Sequence, residues 1–433
     1  MEFHLLLEGF RSFQEEKRVL IRPVTVLVGE NSSGKSSILA AIRYLIDWIG
    51  GDSEASFNSE PFFLGSFHDI AHYRGGRAGR KSAFTIGLEF FQQDKKSSRR
   101  DKIGVRLTFD KKNEGVIDQV TLIKNDEKLS ISSKNGRLFF SSNIDDTKID
   151  PEIAERMPPF EFIGRSLRGV EQIRFYIGLP RAAREEIPDQ YRKIHDFLLS
   201  VTRALKQCLP SSIFASGAVR TEPQRSYDPT KSVVRNDPNA EIYRMAVALR
   251  QSQDSREIKE SIIEFGRRSK LFSDFEMKSL GRSASDPFQI FVNASGRKFN
   301  IADIGYGVSQ ILPIAFRVQQ LRSGSMYLLQ QPEVHLHPSA QAEFSTWLIS
   351  RVAEVPHIWI CIETHSDFII DRLLQSIASK KIRADQAAIN WINVANFESS
   401  VTNLKISDGG EVNNPPKGYR QFFLDEARRN LGV

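Results

Sequence analysis

The stretch VTVLVGENSSGKSSILAAIRYLIDW, Val24 to Trp48, decides how the chain is read. Val24 to Val28 is an unbroken apolar and β-branched run, the pattern of a strand buried on both faces. Ser36 to Trp48 repeats apolar residues at helical spacing. Between the two, Gly29-Glu30-Asn31-Ser32-Ser33-Gly34-Lys35-Ser36 satisfies G-x-x-x-x-G-K-S, and the strand before it and helix after it are the context that gives this pattern meaning. Glycines at 29 and 34 let the backbone wrap closely around phosphate oxygens, successive N–H groups form an anion nest, and the helix adds its positive end. Lys35 is expected to neutralise β- and γ-phosphate charge, Ser36 to hold Mg²⁺, and Ser37 to belong with the nucleotide-binding residues. Such a loop says nucleotide, and leaves open which machine uses it.

The rest of the composition narrows the class. Of 433 residues, 40% are apolar, 26% charged and 10% aromatic, which excludes a disordered, collagenous or membrane chain. The length suits two or three structural units, or one long domain with an insertion. Lys and Arg number 60 against 53 for Asp and Glu, a net charge of +7 that suits anionic partners such as nucleic acid and equally a solvated surface. Cys208 and Cys361 lie far apart with no partner at metal-ligand spacing, which excludes a disulfide framework or zinc finger and points to a reducing compartment. MEFHLLLEGFRSF has no basic leader with a cleavage site, and no run of about 18 apolar residues occurs, so the chain reads as cytoplasmic.

Four segments follow in order. Residues 1–83 hold short β-prone runs and the phosphate loop. Residues 84–287 read as an inserted α+β lobe: alternating runs such as AFTIGLEFF and VIDQVTLI predict antiparallel strands over Phe84 to Phe140, and helical patterns cover Pro188 to Leu209 and Ala240 to Phe272. Residues 288–412 restore a strand and helix alternation, with FQIFV, MYLLQQPE, a helix near Ser339 to Val352 and HIWICIETHSD. Residues 413–433 form a C-terminal extension. The fold class expected is α/β, with a parallel core that the last third of the chain closes.

Several motifs together make the chain resemble the ABC-type P-loop ATPase heads of the RecF, SMC and OLD-like group, including AAA-family ATPases of prokaryotic phage-defence systems. LEGFRSF is similar to that group's opening strand and turn, which implies that Arg11 sits near the nucleotide. FLGSFHDI, Phe63 to Ile70, is similar to its Q-loop region, without the glutamine. IADIGYGVSQILPI resembles the ABC signature, with Gly305, Gly307, Ser309 and Gln310 where small residues and a serine precede a helix. The resemblance implies that these residues reach the γ-phosphate held by a second copy, so that ATP lies in a dimer interface. MYLLQQPEVHLHP is similar to the Walker B strand and its continuation, and ICIETHSDFII to the switch-histidine strand, which makes His365 a γ-phosphate sensor. His335 and His337 read as packing residues more readily than as metal ligands. GAVRTEPQRSY, Gly217 to Tyr227, and PPKGYRQFFLDE, from Pro415, also resemble segments of the group. The implied architecture is an ABC-type head with a mixed sheet plus the inserted lobe.

The departure from the group is at the Walker B end, where two acids give way to Gln330 and Gln331. A neutral amide takes up no proton at pH 7, and loss of a general base costs about 10²- to 10⁴-fold in rate. From about 10 per second, turnover falls to roughly 0.1 to 0.001 per second. Gln330 stands where Mg²⁺ is ordered and Gln331 where water is positioned. Glu363, two residues before His365, is the candidate replacement acid; Glu333 is a second, with Pro332 reading as turning it away. The resemblance implies ATP and Mg²⁺ as cofactors and a homo-oligomer of at least two copies. It also implies a separate effector, such as a nuclease, because no second acidic constellation for a Toprim domain follows. Two other readings stay open: an ATP-bound assembly scaffold that scarcely hydrolyses, and, less in keeping with the Pro-Glu-x-His-Leu-His-Pro segment, the motor of a membrane transporter. RGGRAGRK, Arg74 to Lys81, and KKSSRR, Lys95 to Arg100, are basic runs suited to nucleic-acid phosphates or to solvent.

Overall fold

The computed structural model describes residues 2–52, 55–76, 79–93, 100–113, 116–134, 137–144, 189–218, 220, 222–228, 242–243, 255–283, 286–416 and 418–420. The basic run at 95–99, residues 77–78 of the other basic run, most of the helical pattern over 240–254 and the tail beyond 420 lie outside them. The chain divides into two compact units, unit 1 from Met1–Ser212 with Ala384–Val433 and unit 2 from Ile213–Arg383.

Unit 1 opens with β1 (Phe3–Glu8), β2 (Lys17–Ile21), β3 (Val24–Gly29), α1 (Lys35–Ile49) and α2 (Phe67–Ile70). There follow β4 (Ala83–Gln93), β5 (Arg100–Asp110), β6 (Ile117–Lys124), β7 (Glu127–Lys134), β8 (Arg137–Ser142) and α3 (Asp189–Cys208). The chain passes through unit 2 as β9 (Ser212–Ser216), α4 (Ser255–Arg268), β10 (Asp274–Ser279), β11 (Phe288–Ala294), β12 (Arg297–Asn300), α5 (Tyr306–Gln319), β13 (Ser325–Gln330), α6 (Pro338–Glu354), β14 (Trp359–Glu363) and α7 (Asp367–Ala378). It returns to unit 1 as β15 (Ala387–Ala395), β16 (Glu398–Ile406) and β17 (Val412–Asn413).

In unit 1 the alternating runs form an antiparallel sheet in the order β2-β1-β4-β5-β6-β7-β8. Its period-two pattern sets the buried face: Ile103, Val105, Leu107 and Phe109 of β5 all point inward. Phe84 of β4 stacks on Phe109 at 4.7 Å, and Phe57 stacks on Tyr44 of α1 at 4.2 Å, so one aromatic cluster fastens α1 to this sheet. Each ring removed from water contributes about 1.5–3 kcal/mol. β3 is flanked by β15 in parallel register, Gly29 opposite Ile392. Buried Asn390 of β15 exchanges both amide hydrogen bonds with the Leu20 backbone, at 2.9 and 3.2 Å, which stitches β2 to that strand.

In unit 2, β13 and β14 pair in parallel with β9 beside β13. Their runs SMYLL and WICIE are wholly buried, as strands covered on both faces must be. β10, β11 and β12 make a separate antiparallel sheet. α6 packs on α7 and against α4 and α5. The fold class is the expected one, α/β with a phosphate loop between strand and helix and mixed sheets.

Candidate functional site

The loop from Gly29 to Ser36 is shaped by its glycines. At Gly29 (φ 151°) a Cβ would stand 2.0 Å from the Ile392 carbonyl oxygen, so only glycine lets β15 lie alongside. At Gly34 (φ 97°) a Cβ would meet Ser12 Oγ at 2.7 Å and the Phe13 ring at 2.9 Å. Gly34 is also the N-cap of α1 and brings no side chain to it, and no acidic residue occupies the first turn, so the helix presents its positive end to an anion. Lys35 is buried at 3% exposure, with Nζ donating to the carbonyls of Gly29 (3.1 Å) and Glu30 (2.6 Å). Glu30, Asn31 and Ser32 are exposed, Ser36 is half-buried, and Ser33 and Ser37 face inward. The Ser33 carbonyl accepts from Ser399 Oγ at 2.8 Å and Ser12 Oγ at 3.5 Å. Arg11 (φ 52°) lies in the adjoining turn, its backbone N–H on Ile70 O at 2.6 Å and its guanidinium on Asp69 O at 2.7 Å.

In unit 2 the candidate catalytic residues meet where β13 and β14 end. Gln330 is in register with Glu363, and one residue on, the Gln331 N–H donates to the Glu363 carbonyl at 2.8 Å. Gln331 itself turns the chain with φ 41°. Paired residues on parallel strands share a face, so the acid stands beside the position the first glutamine holds. Glu363 is buried at 6% exposure; His365, just beyond it, is exposed.

Glu333 is brought here too, contrary to the expectation that Pro332 turns it away. Its Oε1 accepts from Thr364 Oγ1 at 2.7 Å and from the His365 N–H at 2.8 Å, while its buried Oε2 has no hydrogen-bond partner among the described residues. Burial pushes this carboxyl above the ordinary value; the Thr364 hydroxyl, nearby backbone N–H groups and the charge of Arg220 pull the other way. Arg220 donates to the Gln330 carbonyl at 3.4 Å.

The glycine-rich turn lies at the start of α5. Gly305 and Tyr306 are exposed and Gly307 half-buried, while Ser309 and Gln310 are buried. Ser309 Oγ donates to the Tyr306 carbonyl at 3.1 Å, an internal bond of the first helical turn. A Cβ on Gly307 would meet the His335 carbonyl at 2.7 Å, and Tyr306 packs on the His335 ring at 5.6 Å. His337 caps α6 by accepting from the Ser339 N–H at 3.3 Å. Both histidines therefore have packing and capping duties, and among the described residues no group of three or more His, Cys, Asp or Glu could hold a metal ion. Among the same residues no helix is long and apolar enough to cross a membrane.

The sequence profile described as "AAA domain, putative AbiEii toxin, Type IV TA system" matches residues 24–371. The chain belongs to that family. The matched span begins at β3 and ends within α7, so it contains the phosphate loop, the two glutamines, Glu333, Glu363 and His365. A search of curated proteins finds no match. Among solved structures the chain is similar to an Smc head bound to the C-winged helix domain of ScpA, with 13% identity, 93% of this chain and 97% of that chain covered, and a TM-score of 0.47. It is similar also to a Pyrococcus furiosus Smc head with an extended coiled coil bound to the C-terminal domain of ScpA, at 14% identity, 100% and 99% coverage and a TM-score of 0.46. The SMC head domain of Thermotoga maritima gives 13% identity, 93% and 98% coverage and a TM-score of 0.42.

As a member of a P-loop AAA family, the chain is of ATPase type. Three features carry no local signal in the sequence: in unit 2 the Glu333 bonds to Thr364 and His365 and the Arg220 bond to Gln330, and in unit 1 the clasp of Ser12 and Ser399 on Ser33. The one hint lay in an acid placed directly after proline in an otherwise apolar and histidine-rich segment.

Proposed function

We propose that the chain is an ATP-binding, slowly ATP-hydrolysing ABC-type subunit that works as a homodimer in the cytoplasm, gating a separate effector such as a nuclease in a prokaryotic DNA-related or antiphage defence complex. The observation that carries ATP binding is the loop itself: an uncapped α1 N-terminus, two glycines that no other residue can replace, and Lys35 at its base. The residues suit both ligands. Backbone N–H groups of Gly29 to Ser36 and the Lys35 ammonium match phosphate oxygens. The Ser36 hydroxyl and the Gln330 amide oxygen would hold Mg²⁺, a hard cation that takes oxygen donors and keeps several waters; when bound, it offsets charge building on the phosphates. The Glu363 carboxylate acts as the general base that takes a proton from water, with Gln331 and His365 orienting the reacting groups. Gly307 lies in the signature turn that would face a second copy's nucleotide, and the buried Ser309 and Gln310 would reach it only once the first turn of α5 is uncovered and the Ser309 bond to Tyr306 is given up, with Arg11 serving the nucleotide of its own chain.

In this reading residues 1–83 and 288–412 make the head, 84–287 the lobe that passes nucleotide state to the effector, and 413–433 an extension. The family's description, a putative toxin of a Type IV toxin–antitoxin system, is in keeping with a defence setting. Phosphate release and particle mass, each with and without ATP and Mg²⁺, test the proposal: wild type should turn over slowly and double in mass, and Lys35→Ala should do neither. A second reading, a scaffold in which ATP is held and scarcely hydrolysed, is favoured by Gln330 and Gln331. Tight ATP binding with turnover equal to the Lys35→Ala control would select it.

A further inference from the structure

We propose that the β15–β16 hairpin forms the nucleobase subsite of this chain, with Phe397 as its stacking platform, a proposal that rests on the reading of the Gly29–Ser36 loop as a nucleotide site.

Two facts about Phe397 call for an explanation. The hairpin loop is two residues long, Asn396 at φ 51° and Phe397 at φ 66°. A turn with positive φ at both central positions favours Asn followed by Gly, and a bulky residue at the second position is an outlier. Phe397 is also 76% exposed, the most exposed large apolar side chain among the described residues. Backbone and solvent both disfavour a phenyl ring here, and such outliers gather at ligand contacts.

The hairpin's placement names the ligand. β15 runs parallel to β3 with Ile392 opposite Gly29, so its last residue, Ala395, lies three residues, roughly 10 Å, beyond the point where the phosphate loop leaves β3. The tip is fixed there. Two residues after Phe397, the Ser399 N–H donates to Ser12 O at 2.7 Å and its hydroxyl to Ser33 O at 2.8 Å, and Ser399 is fully buried. Glu398 pairs with Lys17 at 2.8 Å. The ring is thus held two residues from a side chain that grips the phosphate loop's own backbone. A nucleotide whose phosphates occupy that loop has one remaining flat apolar part, its base. An exposed phenyl ring binds such a surface by stacking, which registers the presence of a base and not its hydrogen-bonding edge.

Calorimetric titration of the full chain with ATP and with inorganic tripolyphosphate, for wild type, Phe397→Gly and Phe397→Trp, tests this. Phe397→Gly should fold with an equal or higher Tm, because glycine suits the turn, and should bind ATP about 5- to 150-fold more weakly, the range for losing one base–aromatic stack. Its affinity for tripolyphosphate should be unchanged. Phe397→Trp should keep ATP affinity and change its fluorescence with ATP and not with tripolyphosphate, which also guards against a glycine variant that fails to fold. ATP affinity unchanged in Phe397→Gly, or equal losses for both ligands, overturns the subsite. So does a change in particle mass with ATP affinity intact, since the ring then serves another protein surface. Wild type that binds ATP no better than tripolyphosphate overturns the subsite and leaves the phosphate loop standing; wild type that binds neither overturns both.

Discussion

The phosphate loop of unit 1 and the paired strand ends of unit 2 are built on different principles. The loop's groups for phosphate are mostly backbone: Gly29 and Gly34 set its path, and α1 aims its amides. Such a device tolerates changes in the side chains of Glu30, Asn31 and Ser32, which are exposed. The ends of β13 and β14 depend on side-chain chemistry, and there the chain has two amides at Gln330 and Gln331, an acid in register at Glu363, and another beneath the next turn at Glu333. If Glu363 is the catalytic carboxylate proposed above, binding and hydrolysis are separable, since the loop's backbone groups do not depend on which strand carries the acid.

The sharpest way to break that contrast is Glu363→Gln. Single-turnover phosphate release should fall about 10²- to 10⁴-fold, the range for loss of a general base, with ATP affinity held. Gln331→Ala should lose far less, and an unchanged rate in the Glu363 variant would remove that acid from the mechanism. Next in size, Lys35→Ala should weaken ATP binding by about 10- to 150-fold, as expected for losing hydrogen bonds from a charged donor, read by calorimetry.

A smaller effect distinguishes the buried acid from the exposed loop by pH. Burial holds the Glu333 carboxyl above its ordinary value of 4.5, so the folded chain keeps a proton that the unfolded chain gives up. The stability from that proton is complete below 4.5 and is lost as pH rises through the raised value. Thermal unfolding of wild type and Glu333→Gln across this range should show wild type losing ground as pH rises; parallel curves would refute a retained proton. Least of all, Arg225→Ala removes a bidentate pair to Asp303 at 2.6 and 2.9 Å whose partners are 72% and 41% exposed. A solvent-screened pair of this kind contributes about 0.2–1 kcal/mol, so Tm should scarcely move.

What the sequence made legible is what is contiguous. Eight consecutive residues spell the loop, VTVLV and SMYLL announce buried strands by their unbroken apolar character, and β4 to β6 follow their alternation. Glu363 could be placed beside the strand that ends in Gln330 because it ends an apolar run of strand length. Partners are another matter. Nothing near Glu333 announces Thr364 and His365, nothing near Ser33 announces Ser399, and β1 pairs with β4 across some eighty residues without a local cue. Period along the chain tells which face is buried, whereas the neighbour across that face is chosen by tertiary packing.

The pairing of Val24 with Ala387 has a consequence for biosynthesis. At the usual elongation rate of about 5–20 residues per second, roughly 20 to 70 s separate the emergence of these two strands. Throughout that interval the eight-residue turn lacks the flank that Gly29 was chosen to accommodate. A growing polypeptide therefore completes this flank only after Ile392 has emerged, and a ribosome stalled before residue 387 would yield a product bearing the motif without its neighbouring strand.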